Sequence, residues 1–154
     1  MIPKNIKEIL DQNGLSALEF EEGSTPTAET AAAQIGVEVG QIAKSLLFKG
    51  KDERFFLIIC AGDAHTSTKK IKDLTGTKTR MATAEELKQQ TGFSPGGVCP
   101  FGVTGLPIYL DESLKAWDTV YPAAGTDSSG VPVTYEKLMQ ITKAQACNVC
   151  GKSE

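Results

Sequence analysis

The chain has 154 residues, 40% hydrophobic and 23% charged, with a formal net charge of −3. That composition excludes a disordered, collagen-like or disulfide-scaffold protein, and a chain of this length can bury roughly 70% of its unfolded surface without staples. No apolar run approaches the roughly 18 residues that span a bilayer, and Met1-Ile2-Pro3-Lys4-Asn5 is no apolar leader, so a cytoplasmic domain over residues 1–154 with no membrane partner is expected.

Ile2, Ile6, Ile9 and Leu10 recur at helical spacing and Gly14 follows as a stop, predicting a short first helix. Residues 15–20 read as a strand and 21–23 as a turn. Ser24 or Thr27 is placed to cap a helix over 28–35 that ends at Gly36. Residues 38–43 form a further helical turn that delivers Lys44. A strand over 45–49, a hairpin turn at Gly50-Lys51-Asp52-Glu53 and a strand over 54–61 follow. The run Phe55-Phe56-Leu57-Ile58-Ile59 suits a strand covered on both faces. Ser67 caps a helix over 68–74, and 77–81 is a short strand. Thr83 and Glu86 have capping-box spacing and open a helix to about residue 90. Beyond a Gly/Pro loop come a strand over 106–110, a short helix over 112–116, a strand over 119–123, a polar turn over 125–130, a strand piece at 131–133 and a closing helix over 135–142. Helices and strands mix without strict alternation, which predicts an α/β fold with a mixed, strongly bent sheet and helices packed on it.

The Gly/Pro loop, residues 92–105, holds five glycines and two prolines in fourteen positions. Glycine permits close backbone approach and proline stiffens, so the segment reads either as a tight turn between strands or as a wall of bare N–H groups for an anion or developing oxyanion. The segment Ala123-Ala124-Gly125-Thr126-Asp127 leaves similar room beside the sheet, or is a plain turn. Lys44 enters an apolar strand, where it either snorkels or meets an anion. Ten of the basic side chains gather in residues 44–88 against six acidic ones. That patch suits a few phosphates and is too small to grip long duplex DNA. His65 stands alone without a nucleophile partner, and no Walker loop or dinucleotide fingerprint is present. Cys60 reads as a small buried hydrophobe. Cys147 and Cys150 form a Cys-x-x-Cys that lacks a second pair or two histidines, so no complete zinc site is expected within the chain, and the pair reads as exposed thiols or as half of a metal site shared across a dimer.

The order of these pieces resembles the YbaK-like family of free-standing aminoacyl-tRNA deacylases, similar to the editing insertion domain of bacterial prolyl-tRNA synthetases. The resemblance rests on Thr27-Ala28-Glu29, Gln41-Ile42-Ala43-Lys44-Ser45-Leu46-Leu47-Phe48, Gly96-Gly97-Val98-Cys99-Pro100-Phe101-Gly102, Ala123-Ala124-Gly125-Thr126 and Leu138-Met139-Gln140-Ile141-Thr142. It covers about residues 20–145 and leaves residues 146–154 as a short Cys-x-x-Cys tail. It implies a single domain with a twisted, largely antiparallel mixed sheet and surrounding helices. It also implies trans-acting hydrolysis of the ester of a mischarged aminoacyl-tRNA, without metal or cofactor. Lys44, Gly96, Gly97 and Val98 take the catalytic roles by resemblance, and Thr27, Cys99, Pro100, Phe101, Gly102, Gly125 and Thr126 line the substrate site. The acceptor 3′ end of an aminoacyl-tRNA is the implied partner, with an aminoacyl-tRNA synthetase as a second candidate. Cys99 departs from the serine, threonine or proline of many relatives, and nothing nearby in sequence marks it as a nucleophile. Two other readings stay open: a module of the same fold that holds a tRNA end, nucleotide or amino acid without turnover, and a metal- or redox-responsive protein that uses Cys147 and Cys150.

Overall fold

The structure is a computed structural model that describes residues 2–151; the last three residues of the Cys-x-x-Cys tail lie outside it. Helix α1 (Lys4–Gln12) buries Ile6 and Leu10, one turn apart on its inner face. Strand β1 is only Leu18–Glu19, much shorter than the strand predicted over 15–20. Helix α2 (Ala28–Ile35) begins at Thr27, whose hydroxyl accepts from the Thr30 N–H, and ends at Gly36 in the left-handed conformation. A 3₁₀ turn (Val39–Gln41) leads into β2 (Ala43–Gly50), and the predicted hairpin turn joins it to β3 (Phe55–Ala61). Then come β4 (His65–Thr66), α3 (Thr68–Thr75) capped by Ser67, β5 (Thr79–Met81) and α4 (Ala84–Thr91) with its Thr83/Glu86 capping box. After the Gly/Pro loop follow β6 (Ile108–Asp111), a 3₁₀ helix (Glu112–Ala116), β7 (Ser129–Gly130), α5 (Tyr135–Thr142), β8 (Gln145–Cys147) and β9 (Cys150–Gly151).

The main sheet has the order β5-β2-β3-β6-β8. β2 is antiparallel to both its neighbours, and β3, β6 and β8 run parallel. Two small antiparallel pairs, β1–β7 and β4–β9, close the ends. The strands predicted at 119–123 and 131–133 shrink to single bridges, Val120 with Val133 and Ile42 with Tyr121. Pro122 and Pro132 each remove a ladder donor there.

β3 is the centre, with Leu57, Ile58 and Ile59 all fully buried. Of its odd-numbered side chains, Ile59 and Ala61 pack with Ala43, Phe101, Leu110, Leu114 and Leu138 under α1 and α5, and Leu57 packs with Leu47 and with Leu87 of α4. Its even-numbered ones pack with Phe48, Ile71, Tyr109, Cys147 and Val149 under α3 and the chain end. No helix among the described residues is long and apolar enough to cross a membrane.

Candidate functional site

The first half of β2 has an open edge. The Ala43 N–H donates to the Tyr121 carbonyl at 3.1 Å, and the Leu47 carbonyl accepts from the Ala82 N–H at 2.9 Å. Peptide groups alternate sides along a strand, so Ser45, between these two, turns its own N–H and C=O away from β3 toward the same edge. β5 begins its pairing only at Phe48. A cavity of about 240 Å³ occupies the gap.

Four segments enclose this cavity. Thr25, Pro26 and Thr27 form its approach, and Ala28, Ala31 and Ile35 present one face of α2. Ile42 to Leu46 supply the strand edge, with Gly96 and Val98 from the Gly/Pro loop and Tyr121, Ala123 and Ser129 from the returning chain. The lining is mostly apolar and small. Two hydroxyls stand out against it: Thr25 Oγ1 and Ser45 Oγ are buried without a hydrogen-bond partner. Their residues are 5% and 8% exposed. A buried polar atom left unpaired is costly, and such atoms are rare in folded proteins, so these two hydroxyls give the cavity wall unused hydrogen-bonding capacity.

Lys44 lies on the rim. The pleat sends its side chain to the face opposite Ala43 and Ser45, where Nζ donates to the Ala64 carbonyl at 2.7 Å and to the Gly62 carbonyl at 3.5 Å. An ammonium has three donors, so one N–H is left for a ligand. The approach of α2 to this loop is close. A Cβ on Gly62 would lie 2.4 Å from the Val39 carbonyl oxygen and 2.9 Å from Ala28 Cβ, so only glycine fits there.

Thr27, Lys44, Gly96 and Val98 therefore meet at one cavity. Gly97, Gly102, Gly125 and Thr126 line a separate opening of about 610 Å³, together with Pro3, Asn5 and Phe93. The Gly97 N–H is already used, donating to the Ser94 carbonyl at 3.0 Å. Gly97 also packs flush against the second glycine segment: a Cβ there would sit 3.1 Å from the Gly125 carbonyl oxygen. Cys99, Pro100 and Phe101 are buried behind the loop, in the core. The Cys99 thiol points to the Phe101 carbonyl, and burial pushes it up to about 12, so it stays protonated at neutral pH. Sequence reasoning pointed to the segments that hold Thr25 and Ser129 without singling out either residue, and it missed Ser45 and Tyr121. Ser45 adjoins Lys44 and could have been considered, but its role rests on an open strand edge that only the pairing of β5 defines.

The Cys-x-x-Cys is neither exposed nor remote. Cys147 is buried and Cys150 partly so. The Cys147 thiol reaches Asp111 Oδ1 at 3.7 Å. Burial, then the Asp111 carboxylate, pushes this thiol up to about 12.

Comparison with known proteins adds a family. Residues 22–141 match the sequence profile of the aminoacyl-tRNA editing domain. The YwhH protein of Bacillus subtilis (strain 168), itself uncharacterised, is 45% identical over 122 residues, covering 79% of this chain and 78% of that protein. The proposed Cys-tRNA(Pro)/Cys-tRNA(Cys) deacylase EbsC of Enterococcus faecalis (strain ATCC 700802 / V583) is 26% identical over 128 residues, covering 82% of this chain and 78% of its own length. Among solved structures, a proposed trans-editing enzyme for prolyl-tRNA synthetase superposes with a TM-score of 0.87 at 35% identity, covering 99% of this chain and all of the other.

Proposed function

This chain belongs to the aminoacyl-tRNA editing domain family, and on that premise we propose that it hydrolyses, in trans and in the cytoplasm, the ester that joins a mismatched amino acid to the 3′ end of a tRNA. The observation that carries this reading is the cavity beside Lys44, with the buried and unpartnered hydroxyls of Thr25 and Ser45 in its wall. A small, largely apolar space with a few convergent polar groups is the usual form of a small-ligand site.

In the proposed reaction the aminoacyl group enters the cavity and the terminal ribose stays at its mouth, near Lys44. Water attacks the ester carbonyl, and the developing oxyanion lies against the backbone at Gly96 and Val98 or the open edge at Ser45. The bond from carbonyl carbon to ribose oxygen then breaks, the ribose oxygen takes a proton, and free amino acid and tRNA leave. One well-placed oxyanion donor is worth roughly 3–4 kcal/mol in the transition state, and orientation of an already activated ester adds to that. Lys44, held by two carbonyls and with one donor to spare, keeps a fixed positive charge beside the terminal ribose and its phosphate.

Deacylation of a panel of mischarged tRNAs tests the reading. Wild-type protein should release at least one amino acid, and Lys44→Ala should lower that rate by about two orders of magnitude, as expected for loss of one such contact. An unchanged rate in the variant would take Lys44 out of the mechanism. Salt-sensitive tRNA binding with no hydrolysis across the panel would replace the enzyme with a module that only holds the acceptor end.

A further inference from the structure

The open edge of β2 carries a hydrogen-bonding pattern of its own. Tyr121 covers the edge on one side of the opening: its N–H donates to the Gln41 carbonyl at 2.8 Å, and its carbonyl accepts from the Ala43 N–H at 3.1 Å. On the other side the Leu47 carbonyl accepts from the Ala82 N–H at 2.9 Å. Lys44 and Leu46 turn their peptide groups inward, to Cys60 and Ile58 of β3. Ser45 lies between them, and among the described residues no backbone group bonds its N–H or its C=O. In an antiparallel ladder such a residue exchanges both bonds with one opposed residue, so the opening has the pattern of a single missing residue. Its surroundings suit a polar occupant. Thr25 Oγ1 and Ser45 Oγ are buried there without partners, on residues 5% and 8% exposed. Among the described residues that line the cavity none is acidic, so a donor that enters meets carbonyl and hydroxyl oxygens rather than a carboxylate.

Resting on the proposed function, we infer that the main chain of Ser45 reads the α-aminoacyl group of the substrate as though it were the missing residue of the sheet. The Ser45 N–H donates to the ester carbonyl, and the Ser45 carbonyl accepts from the α-amino group on the neighbouring carbon. Backbone polarity sets the direction. The Ser45 N–H belongs to the peptide on the Lys44 side, and its C=O to the peptide on the Leu46 side. An antiparallel occupant therefore sends its ester oxygen toward Lys44 and its amino group toward β5. The ribose then leaves beside the ammonium, where the proposed reaction requires it. Directly opposed residues share a face of the sheet, so the side chain of the bound amino acid points the same way as that of Ser45. The main-chain grip is common to every α-amino acid, and the cavity wall alone reads the side chain. As water attacks, the carbonyl oxygen gains charge against the Ser45 N–H, which becomes an oxyanion donor. Acyl esters without an α-amino group lose half of this grip.

The test is an NMR titration of isotope-labelled full-length protein with two stable amides. One is 3′-deoxy-3′-(L-alanylamino)adenosine; the other is its 3′-propionylamino counterpart, which lacks only the amino group. Neither has an ester to cleave, so the readout is binding and is separate from deacylation. The alanyl methyl gives the wall little to grip, so the pair isolates the amino group. In the free protein the Ser45 amide should exchange with deuterated water much faster than the Lys44 and Leu46 amides bonded to β3. The alanyl compound should shift the Ser45 amide resonance and slow its exchange several-fold. The propionyl compound should bind roughly tenfold more weakly, as expected for loss of one hydrogen bond from the amino group. A Ser45 amide as protected as its neighbours in the free protein, equal affinities for the two compounds, no change at Ser45 on binding, or no binding of either in the millimolar range overturns the inference. Failure here together with active deacylation removes Ser45 and leaves the editing function standing. Success here without deacylation keeps the inference and removes turnover.

Discussion

Glu86 binds three elements with one carboxylate. It accepts two hydrogen bonds from the Arg80 guanidinium, at 2.8 and 3.0 Å, and one from the Thr83 N–H at 2.9 Å. The Lys49 ammonium lies 3.1 Å away. The Arg80 guanidinium first, then the Thr83 N–H, hold its carboxyl far below the ordinary value of 4.5. A carboxyl depressed in the fold contributes stability that is complete above its unfolded pKa and is lost as pH falls below it, because the unfolded chain then binds the proton more readily. Thermal melts should therefore show a gap between wild type and Glu86→Gln that is full at neutral pH, begins to narrow as the pH falls through the ordinary carboxylate range and closes only toward the depressed folded value. A gap that does not vary with pH would remove the network from the stability of the fold. Thr83 and Glu86 are three residues apart and announced themselves as a cap, whereas Arg80 and Lys49 come from two strands, and no spacing in the chain foretells that they meet there.

At the scale of elements, the two glycine segments act as a pair. Gly125 has a φ of +88°, and a Cβ there would lie 2.7 Å from Ile6 Cδ1 and 3.2 Å from Phe93 Cε1. Gly105 also has a positive φ, +82°, but nothing lies within 4 Å of its added Cβ. The comparison separates strain from crowding. Gly105→Ala should cost only the backbone penalty, on the order of 1 kcal/mol, while Gly125→Ala should cost about 1–3 kcal/mol more through overpacking. Urea unfolding of both variants measures the difference, and equal midpoints would show that the segments do not press on α1. The glycine wall was legible in the sequence as a shape. Which part of it lines the cavity was not, because Gly97 meets Gly125 and Thr126 across 28 residues of chain, and of residues 96–98 only Gly96 and Val98 reach the cavity.

Across the whole molecule, the basic residues of the middle third do not form one open field. Lys49 pairs with Glu53 and Glu86, Arg80 with Glu86, and Arg54 with Asp52. Lys51 and Lys78 line a second hollow with Lys49 and Arg80 at the far end of β2. At the usual rise per strand residue that end is about 17 Å from Lys44, a span that a nucleic-acid backbone leaving the cavity could follow. On the proposed function, three phosphate contacts along it would weaken tRNA binding roughly twentyfold between 50 and 200 mM salt. The combined Lys51→Glu and Lys78→Glu change should flatten that dependence in an anisotropy titration. A slope the same as wild type would move the phosphates elsewhere.

The amino-acid order by itself determined the local features: the caps at Thr27, Ser67 and Thr83, the left-handed stop at Gly36, the buried run of β3 and the closing helix at Tyr135–Thr142. Each depends on interactions within a few residues, so neighbouring letters carry the information. Tertiary structure decided the rest: the open edge at Ser45, the carbonyls that hold Lys44, and the meeting of Asp111 with Cys147 and the Val149 N–H. Those depend on strand register, which shifts every side chain to the other face with a one-residue slip, and register is set only when distant segments pack together.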